Sequence, residues 1–448
     1  MSARLLALAL IAGLAAAPAS ARPVRIAPAE VTAAEPTFPS TPAGKCAKDF
    51  ITMINDPTPE RVKAFETTWA SKTRLSGIPI DERITRVKGL QEDWGKVKVT
   101  DVSAINTVIV EATTSNGHSL EMTFNMSSSE PGKLDGIEIQ ASSEGGQSHP
   151  LHAELRDQTV KGVADALRKN YVFPDKGAKM ADTILAKLKA GDYNDIESES
   201  ALAKQLTDDC REITHDKHLG IRVSPEDKSA SHEGMMPSRD EMRRENYGFK
   251  KVEVLPGNIG YIRFDVFVED DQANKVASAA MNFLSNCDSI IFDVRSNGGG
   301  SPEMIRYITS YLFETKTHLN DMVDRDGKIV EEFWTLPEVP GARPKANIPV
   351  FVLTSSRTFS GAEEFSYNLK NLKRATLVGE TTGGGAHPVR GDRVNERFIV
   401  RVPFMRAQNP ITKTNWEGTG VEPDVKTASN DALDKAIELA KAATKTKK

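Results

Sequence analysis

The stretch Ile348-Pro-Val-Phe-Val-Leu-Thr-Ser-Ser-Arg-Thr-Phe-Ser-Gly-Ala-Glu-Glu-Phe365 decides the fold. Ile348 to Leu353 is an apolar run of the length of a buried strand. Ala362, Phe365 and Leu369 then recur at helical spacing. Ser360 therefore stands where a buried strand turns into a helix, with its hydroxyl exposed at the strand's carboxyl end. The unpaired N–H groups of a helix's first turn lie beside such a residue. Acyl transfer needs that pairing of an oxygen nucleophile with fixed donors for an oxyanion. A serine in this place also reads as a plain helix cap, and the residue alone does not choose between the two.

The pattern repeats on both sides. Ile259-Gly-Tyr-Ile-Arg-Phe264 and Ser289-Ile-Ile-Phe-Asp-Val294 read as strands, with a helix over 271–286 between them. The second strand runs into Asn297-Gly298-Gly299-Gly300, and Ser301-Pro302 opens another helix. Ala375 to Gly379 is a strand leading into Gly383-Gly384-Gly385, Arg397 to Phe404 is a strand, and Asp431 to Lys441 is an amphipathic helix. Residues 248–445 are thus expected to form an α/β core. Upstream, three apolar stripes at helical spacing make 151–223 a helical cap ending in Thr214-His-Asp-Lys-His-Leu-Gly-Ile-Arg-Val223, which should pass from helix to strand. Residues 224–247 are polar and aperiodic, as in a loop or lid.

Residues 43–145 read as a small α+β domain. Thr58-Pro59-Glu60 opens a helix, Ile84, Val87 and Leu90 mark another, and Val108 to Ala112 and Leu120 to Phe124 alternate about Asn116-Gly117. Helices followed by an antiparallel meander resemble the cone-shaped nuclear transport factor 2-like fold. Ser142 to Pro150 reads as a linker.

The chain has 448 residues and a formal net charge of −4, which suits two or three domains and gives no reason to expect nucleic acid as a partner. Arg4, the apolar run Leu5 to Ala17 and Ala19-Ser20-Ala21 form a signal peptide over 1–21, too short to span a bilayer comfortably. Residues 22–42 follow as a flexible lead-in. The mature protein is expected in a periplasm or outside the cell, without a membrane span. The three cysteines Cys46, Cys210 and Cys287 leave at least one free thiol, a Cys46–Cys210 disulfide being one option in an oxidising compartment.

A catalytic serine needs a base. His118, His149, His152 and His232 fall in polar loops and His318 after a helix, leaving His215, His218 and His387. His218, at the edge of an expected strand, is the one a rigid frame would hold. His215-x-x-His218 also has the spacing of two metal ligands, but no third ligand is close in sequence. Glu417, after Trp416 and before Gly418 and Gly420, is the best candidate to orient a base, although composition alone prefers a surface acid in a turn. The N–H of Gly361 and the backbone of Gly298 and Gly299 are candidate oxyanion donors. The glycine run lacks the ending of a P-loop and the spacing of a dinucleotide site.

Asp293 to Gly300, Thr358 to Glu364, Val378 to Gly385 and Gly420-Val-Glu-Pro-Asp424, in that order and spacing, resemble the serine peptidases that include the carboxyl-terminal processing proteases, the tricorn core and the interphotoreceptor retinoid-binding protein repeats. The resemblance covers roughly residues 150–445 and implies a crotonase-like core of ββα units with a helical cap. Processing proteases pair their serine with a lysine whose place here is Gly385, and no lysine lies between Lys373 and Lys413. The tricorn branch uses serine, histidine and glutamate, which match Ser360, His218 and Glu417; its further serine beside the histidine is Lys217 here. The resemblance implies an exported serine peptidase acting on peptide or protein through an acyl-enzyme, with no metal or organic cofactor. The retinoid-binding relatives supply the alternative of a non-catalytic carrier of apolar ligands. Oligomeric state, substrate sequence and the role of 43–145 are not written in these motifs.

Overall fold

The computed structural model describes residues 36–445 apart from 78, 105–107, 117–118, 128–129, 142–150 and 225–238. The expected signal peptide, most of the lead-in, the linker and much of the 224–247 loop lie outside the described residues. Among the described residues, no helix is long and apolar enough to cross a membrane.

The fold is mixed α/β with several sheets. Its centre is a six-stranded sheet in the order Val425–Lys426, Thr376–Gly379, Val350–Thr354, Ser289–Asp293, Ile259–Phe264 and Phe249–Leu255. All neighbours pair parallel except the last two, which form an antiparallel hairpin. Parallel pairs need crossovers, and the helices Asp271–Phe283, Pro302–Ser310 and Gly361–Asn371 supply them. Strand side chains alternate between two cores, as a two-residue period requires. Ile290, Phe292, Val350 and Val352 face the crossover helices with Phe365 and Leu369. Ile291, Phe351 and Leu353 face the carboxyl-terminal helix Ala432–Lys445 through Ala432, Ala436 and Ala440.

The helices Ala153–Asn170, Pro174–Ala190 and Glu199–Thr214 pack with a three-stranded antiparallel sheet of Val389–Arg393, Phe398–Pro403 and Gly220–Val223. The expected helical cap thus shares its core with strands contributed from beyond the nucleophile helix. A second three-stranded sheet, Ile329–Trp334, His318–Asp324 and Met405–Gln408, was not expected. Of the 224–247 loop, the described end is ordered into a short helix, Arg239–Arg244, and a 3-10 turn.

The amino-terminal helices Pro42–Ile54, Pro59–Trp69, Lys72–Gly77 and Ile80–Trp94 pack on a four-stranded antiparallel sheet spanning Val97–Ala104 to Leu134–Ala141. Thr58 caps its helix through the Arg61 N–H, with Pro59 at the first position. Phe50, Phe65 and Phe124 meet edge-to-face in this core. Cys46, Cys210 and Cys287 are free, buried thiols. Cys46 lies in the amino-terminal core and Cys210 in that of the helical cap, so the disulfide option is not realised in this structure.

Candidate active site

Three loops leave the carboxyl ends of three adjacent parallel strands: after Asp293, after Thr354 and after Gly379. Ligand sites in open α/β sheets form at such ends. The loops are stitched to one another. Asn297 is fully buried; its Nδ2 donates to Phe264 O at 3.0 Å, and its carbonyl accepts from Phe359 N at 3.1 Å. Thr358 Oγ1 donates to Val294 O at 2.8 Å, and Gly383 N donates to Thr358 O at 2.9 Å. Ser355 is consumed in the same frame, its hydroxyl donating to Arg295 O.

Ser360 precedes the helix Gly361–Asn371 with φ 53° and ψ −120°. A non-glycine residue there costs about 1–3 kcal/mol and persists only where its surroundings over-determine it. They do so through Glu363. Its buried carboxylate accepts from Ser360 N at 2.8 Å, Gly384 N at 2.6 Å and Gly385 N at 2.8 Å, and from the Thr382 hydroxyl. One carboxylate thus fixes the serine turn and the 382–385 loop together.

Ser360 Oγ lies 3.1 Å from His218 Nε2. His218 sits between the helix Glu199–Thr214 and the strand Gly220–Val223, where Arg211 donates to Lys217 O and Leu219 O, both at 2.8 Å. Its ring is tilted on that of Phe359 with centroids 4.8 Å apart. Burial pushes the His218 imidazole down to about 4, against the nearby Asp216 carboxylate, which favours its charged form. It is therefore neutral at pH 7 and able to take a proton from Ser360. His215, at the helix end with φ 56°, is exposed while His218 is buried, so the two do not face a common ligand. Lys217, where the tricorn pattern has serine, donates from Nζ to Gly383 O at 2.6 Å.

Glu417 does not hydrogen-bond His218. Its Oε2 accepts from Ala386 N at 2.6 Å and lies 3.4 Å from His387 Nδ1. Trp416 Nε1 donates to Gly385 O at 2.7 Å and Gly418 N to Gly384 O at 3.1 Å, so the 416–418 turn runs alongside the glycine loop and places the glutamate one layer behind the histidine. Burial raises the Glu417 carboxyl to about 7, with the Asp216 charge adding to the rise and His387 opposing it.

Asp216 was missed from sequence. It is fully buried; its Oδ2 accepts from His387 Nδ1 at 2.6 Å and from Tyr171 OH at 3.2 Å, and its Oδ1 accepts from His218 N at 3.0 Å. The available signal was an aspartate two residues before the chosen histidine, the spacing of a side chain that closes its own turn. Among the described residues, the oxygen and nitrogen atoms of Asp216, His387 and Glu417 also lie close enough to hold a cation, as do those of His318, Asp321 and Glu332. The 2.6 Å His387–Asp216 spacing is that of a hydrogen bond.

The oxyanion candidates divide. Gly361 N has no acceptor among the described residues. Gly299 N donates to Asn297 Oδ1 at 2.8 Å and Gly298 N to Asp265 O at 3.2 Å. Gly300 N, next in the run, has no acceptor among the described residues. Gly299, with φ 107°, lets the two loops touch: a Cβ there would lie 2.7 Å from Gly361 N and 2.8 Å from Ser360 Cβ.

Two family models match the chain. Residues 258–427 match the model described as peptidase family S41. Residues 150–256 match the N-terminal domain of Peptidase_S41 in eukaryotic IRBP. Among solved structures, the photosystem II D1 C-terminal processing protease is 16% identical with TM-score 0.41, covering 61% of this chain and 93% of its own. A putative peptidase from Parabacteroides merdae ATCC 43184 is 20% identical with TM-score 0.45, covering 64% and 96%. The tricorn protease is 13% identical with TM-score 0.41, covering 78% of this chain and 41% of its own.

Proposed function

Because the chain belongs to peptidase family S41 and is a serine peptidase, we propose that Ser360 is its nucleophile and His218 its general base. The observation that carries this reading is the 3.1 Å Ser360 Oγ–His218 Nε2 contact at a strained strand-to-helix turn. His218 takes the Ser360 proton as Oγ attacks the peptide carbonyl, then gives it to the leaving amine. Water reverses the sequence on the acyl-enzyme. Gly361 N and a donor from the 298–300 backbone, with Gly300 N the unclaimed one, receive the oxyanion. Glu417 completes a Ser-His-Glu arrangement from one layer back, through the His387 and Asp216 side chains.

We also propose that the mature protein is exported, on the strength of residues 1–21. Residues 248–445 are read as a crotonase-like core, and 43–145 as a nuclear transport factor 2-like domain acting on access or assembly. Amino-terminal sequencing of secreted material, beginning near Arg22, tests the export.

A fluorophosphonate probe tests the nucleophile. We expect one adduct, on Ser360, formed at a rate that falls sharply in His218→Ala. An adduct on Ser355 or Ser356, or saturable binding of an apolar ligand with no adduct, overturns the reading in favour of another serine or of a carrier.

A further inference from the structure

We propose that Asp216 is the positioning carboxylate of His218: it fixes the imidazole against Ser360 through the backbone and faces the charge that forms on the ring during acyl transfer. The inference rests on the reading of Ser360 and His218 given above.

In a Ser–His pair the second ring nitrogen normally donates to an acid. Here His218 Nδ1 is buried with no partner among the described residues. Nor does Glu417 reach it, since Oε2 is engaged by Ala386 and Oε1 is itself buried without a partner. An imidazolium formed in such a place without a counter-charge would be costly. The charged groups that bear on the ring come from every element around it. Arg211 lies on the helix Glu199–Thr214, Arg401 on the strand Phe398–Pro403 and His387 beyond the glycine loop, and all three oppose a positive His218. Asp216 favours it.

Asp216 is built for that task. Its Oδ1 accepts the His218 N–H, closing the turn that sets where the ring leaves the backbone. Its Oδ2 is held by Tyr171 OH and His387 Nδ1. Burial works against the carboxylate, but the bond and charge of His387 and the charge of His218 outweigh it and hold Asp216 below its ordinary range, hence ionised. In acylation the Ser360 O–H bond breaks, its proton goes to His218 Nε2, and the oxygen's electron pair forms the bond to the carbonyl carbon. When the C–N bond breaks, the proton leaves with the amine. Asp216 stays ionised throughout and carries no proton.

The test is the pH dependence of fluorophosphonate labelling in wild type, Asp216→Asn and Glu417→Gln, with each adduct mapped. We expect Asp216→Asn to lower the plateau rate by about 10²- to 10⁴-fold and to move the acid limb down by about one pH unit or more. The limb moves down because the anion that favours the charged ring is gone; Glu417→Gln, which bears on the ring only through His387 and Asp216, should move it less. A limb that stays put in Asp216→Asn, or one that moves further in Glu417→Gln, overturns the proposal. Should Asp216→Asn not fold, carbon-13 NMR of Ser360→Ala settles the point. There the Asp216 carboxyl signal must move as His218 titrates, and a Glu417 signal moving in its place overturns the proposal. Adducts at another serine would defeat the nucleophile assignment itself, a failure visible in the wild type before any variant is compared.

Discussion

A Cβ on Gly385 would sit 2.7 Å from His218 Cε1, and only 2.3 Å from Cζ of Phe359, the ring on which His218 rests. Gly385 is the position at which the processing-protease pattern carries its lysine. The space beside Gly385 is filled by the imidazole and the phenyl ring, so any side chain at this position meets them from its first carbon. Gly385→Ala is therefore expected to push His218 or Phe359 aside, and a displacement of about 1 Å can cost roughly 10²-fold in rate. Steady-state turnover beside a thermal melt checks this: activity should fall far more than stability. A Gly385→Lys, His218→Ala double variant should stay inactive.

The base should titrate lower than an ordinary histidine. From residue type alone the acid limb of activity falls near 6.5, but burial holds the folded His218 at about 4. Activity needs the neutral ring, so it should persist below pH 6 and fail as pH drops toward 4. A kcat/KM profile on any cleaved peptide reads this directly, and a limb at 6.5 would show that His218 is more solvated than the structure has it.

The same shift makes a stability prediction. Between 6.5 and about 4 the unfolded chain binds a proton at His218 that the folded chain refuses. Acid therefore favours the unfolded state in that window, and stability falls as pH drops through it, by up to about 3 kcal/mol from this group. His218→Gln removes this contribution and should lessen the fall in melting temperature between pH 6.5 and 4, with no effect at pH 8 beyond its own packing change.

Glu363 gives a fourth test. Its carboxylate accepts from three backbone N–H groups and a hydroxyl, and an amide in its place would turn N–H toward N–H. Glu363→Gln should destabilise the fold by about 1–3 kcal/mol. It should also lower kcat more than it raises KM, because it loosens the Ser360 turn and the glycine loop together. Denaturant unfolding and steady-state kinetics separate the two effects.

The parts of this site that could be read from sequence are those written in one continuous stretch. Ser360 follows from strand, turn and helix within a few residues, and His218 from a helix that gives way to a strand. The pairing of Asp216 with His387 spans 171 positions and depends on how the glycine loop packs under the cap. No local pattern encodes it. Glu417 was visible as an acid in a tight turn, but whether that turn reached His218 depended on the Trp416–Gly385 contact. The His318–Asp324 strand escaped notice because Asn320 and Asp321 are buried polar residues that break the apolar alternation a strand is read by. Gly298 and Gly299 were chosen from a run of three glycines, whose N–H groups differ only in which acceptors the fold has already given them.

The amino-terminal domain bears on the nucleophile loop from outside. Its Glu82 meets Arg263 at 3.4 Å, and Ser200 Oγ lies 3.4 Å from Glu111. Arg357, three residues before Ser360, donates to Ser296 Oγ at 3.3 Å. Burial, and then the charges of Arg86 and Arg83, push its guanidinium down to about 10. The domain thus sets the like charges of Arg86 and Arg83, partly offset by its own Glu82, near the loop that carries the serine, while supplying none of the proposed catalytic groups. A chain cut near Gly145 should still react with a fluorophosphonate at Ser360, and its rate should shift because Arg357 is relieved of that repulsion and gains solvent. Arg86→Ala in the full chain should shift the rate in the same direction with no cut made, which separates the charge effect from loss of packing. Among the described residues the parts meet through the Glu82–Arg263 ion pair, the long Ser200–Glu111 hydrogen bond and the packing of Lys72–Gly77 against Ser429–Asp431. The polar contacts are partly exposed and worth no more than about 1 kcal/mol each, and a folded large fragment is the product we expect from limited proteolysis. A folded fragment that no longer labels would instead mean that the amino-terminal domain holds the 354–360 loop in its reactive shape. The domain would then count as part of the active site.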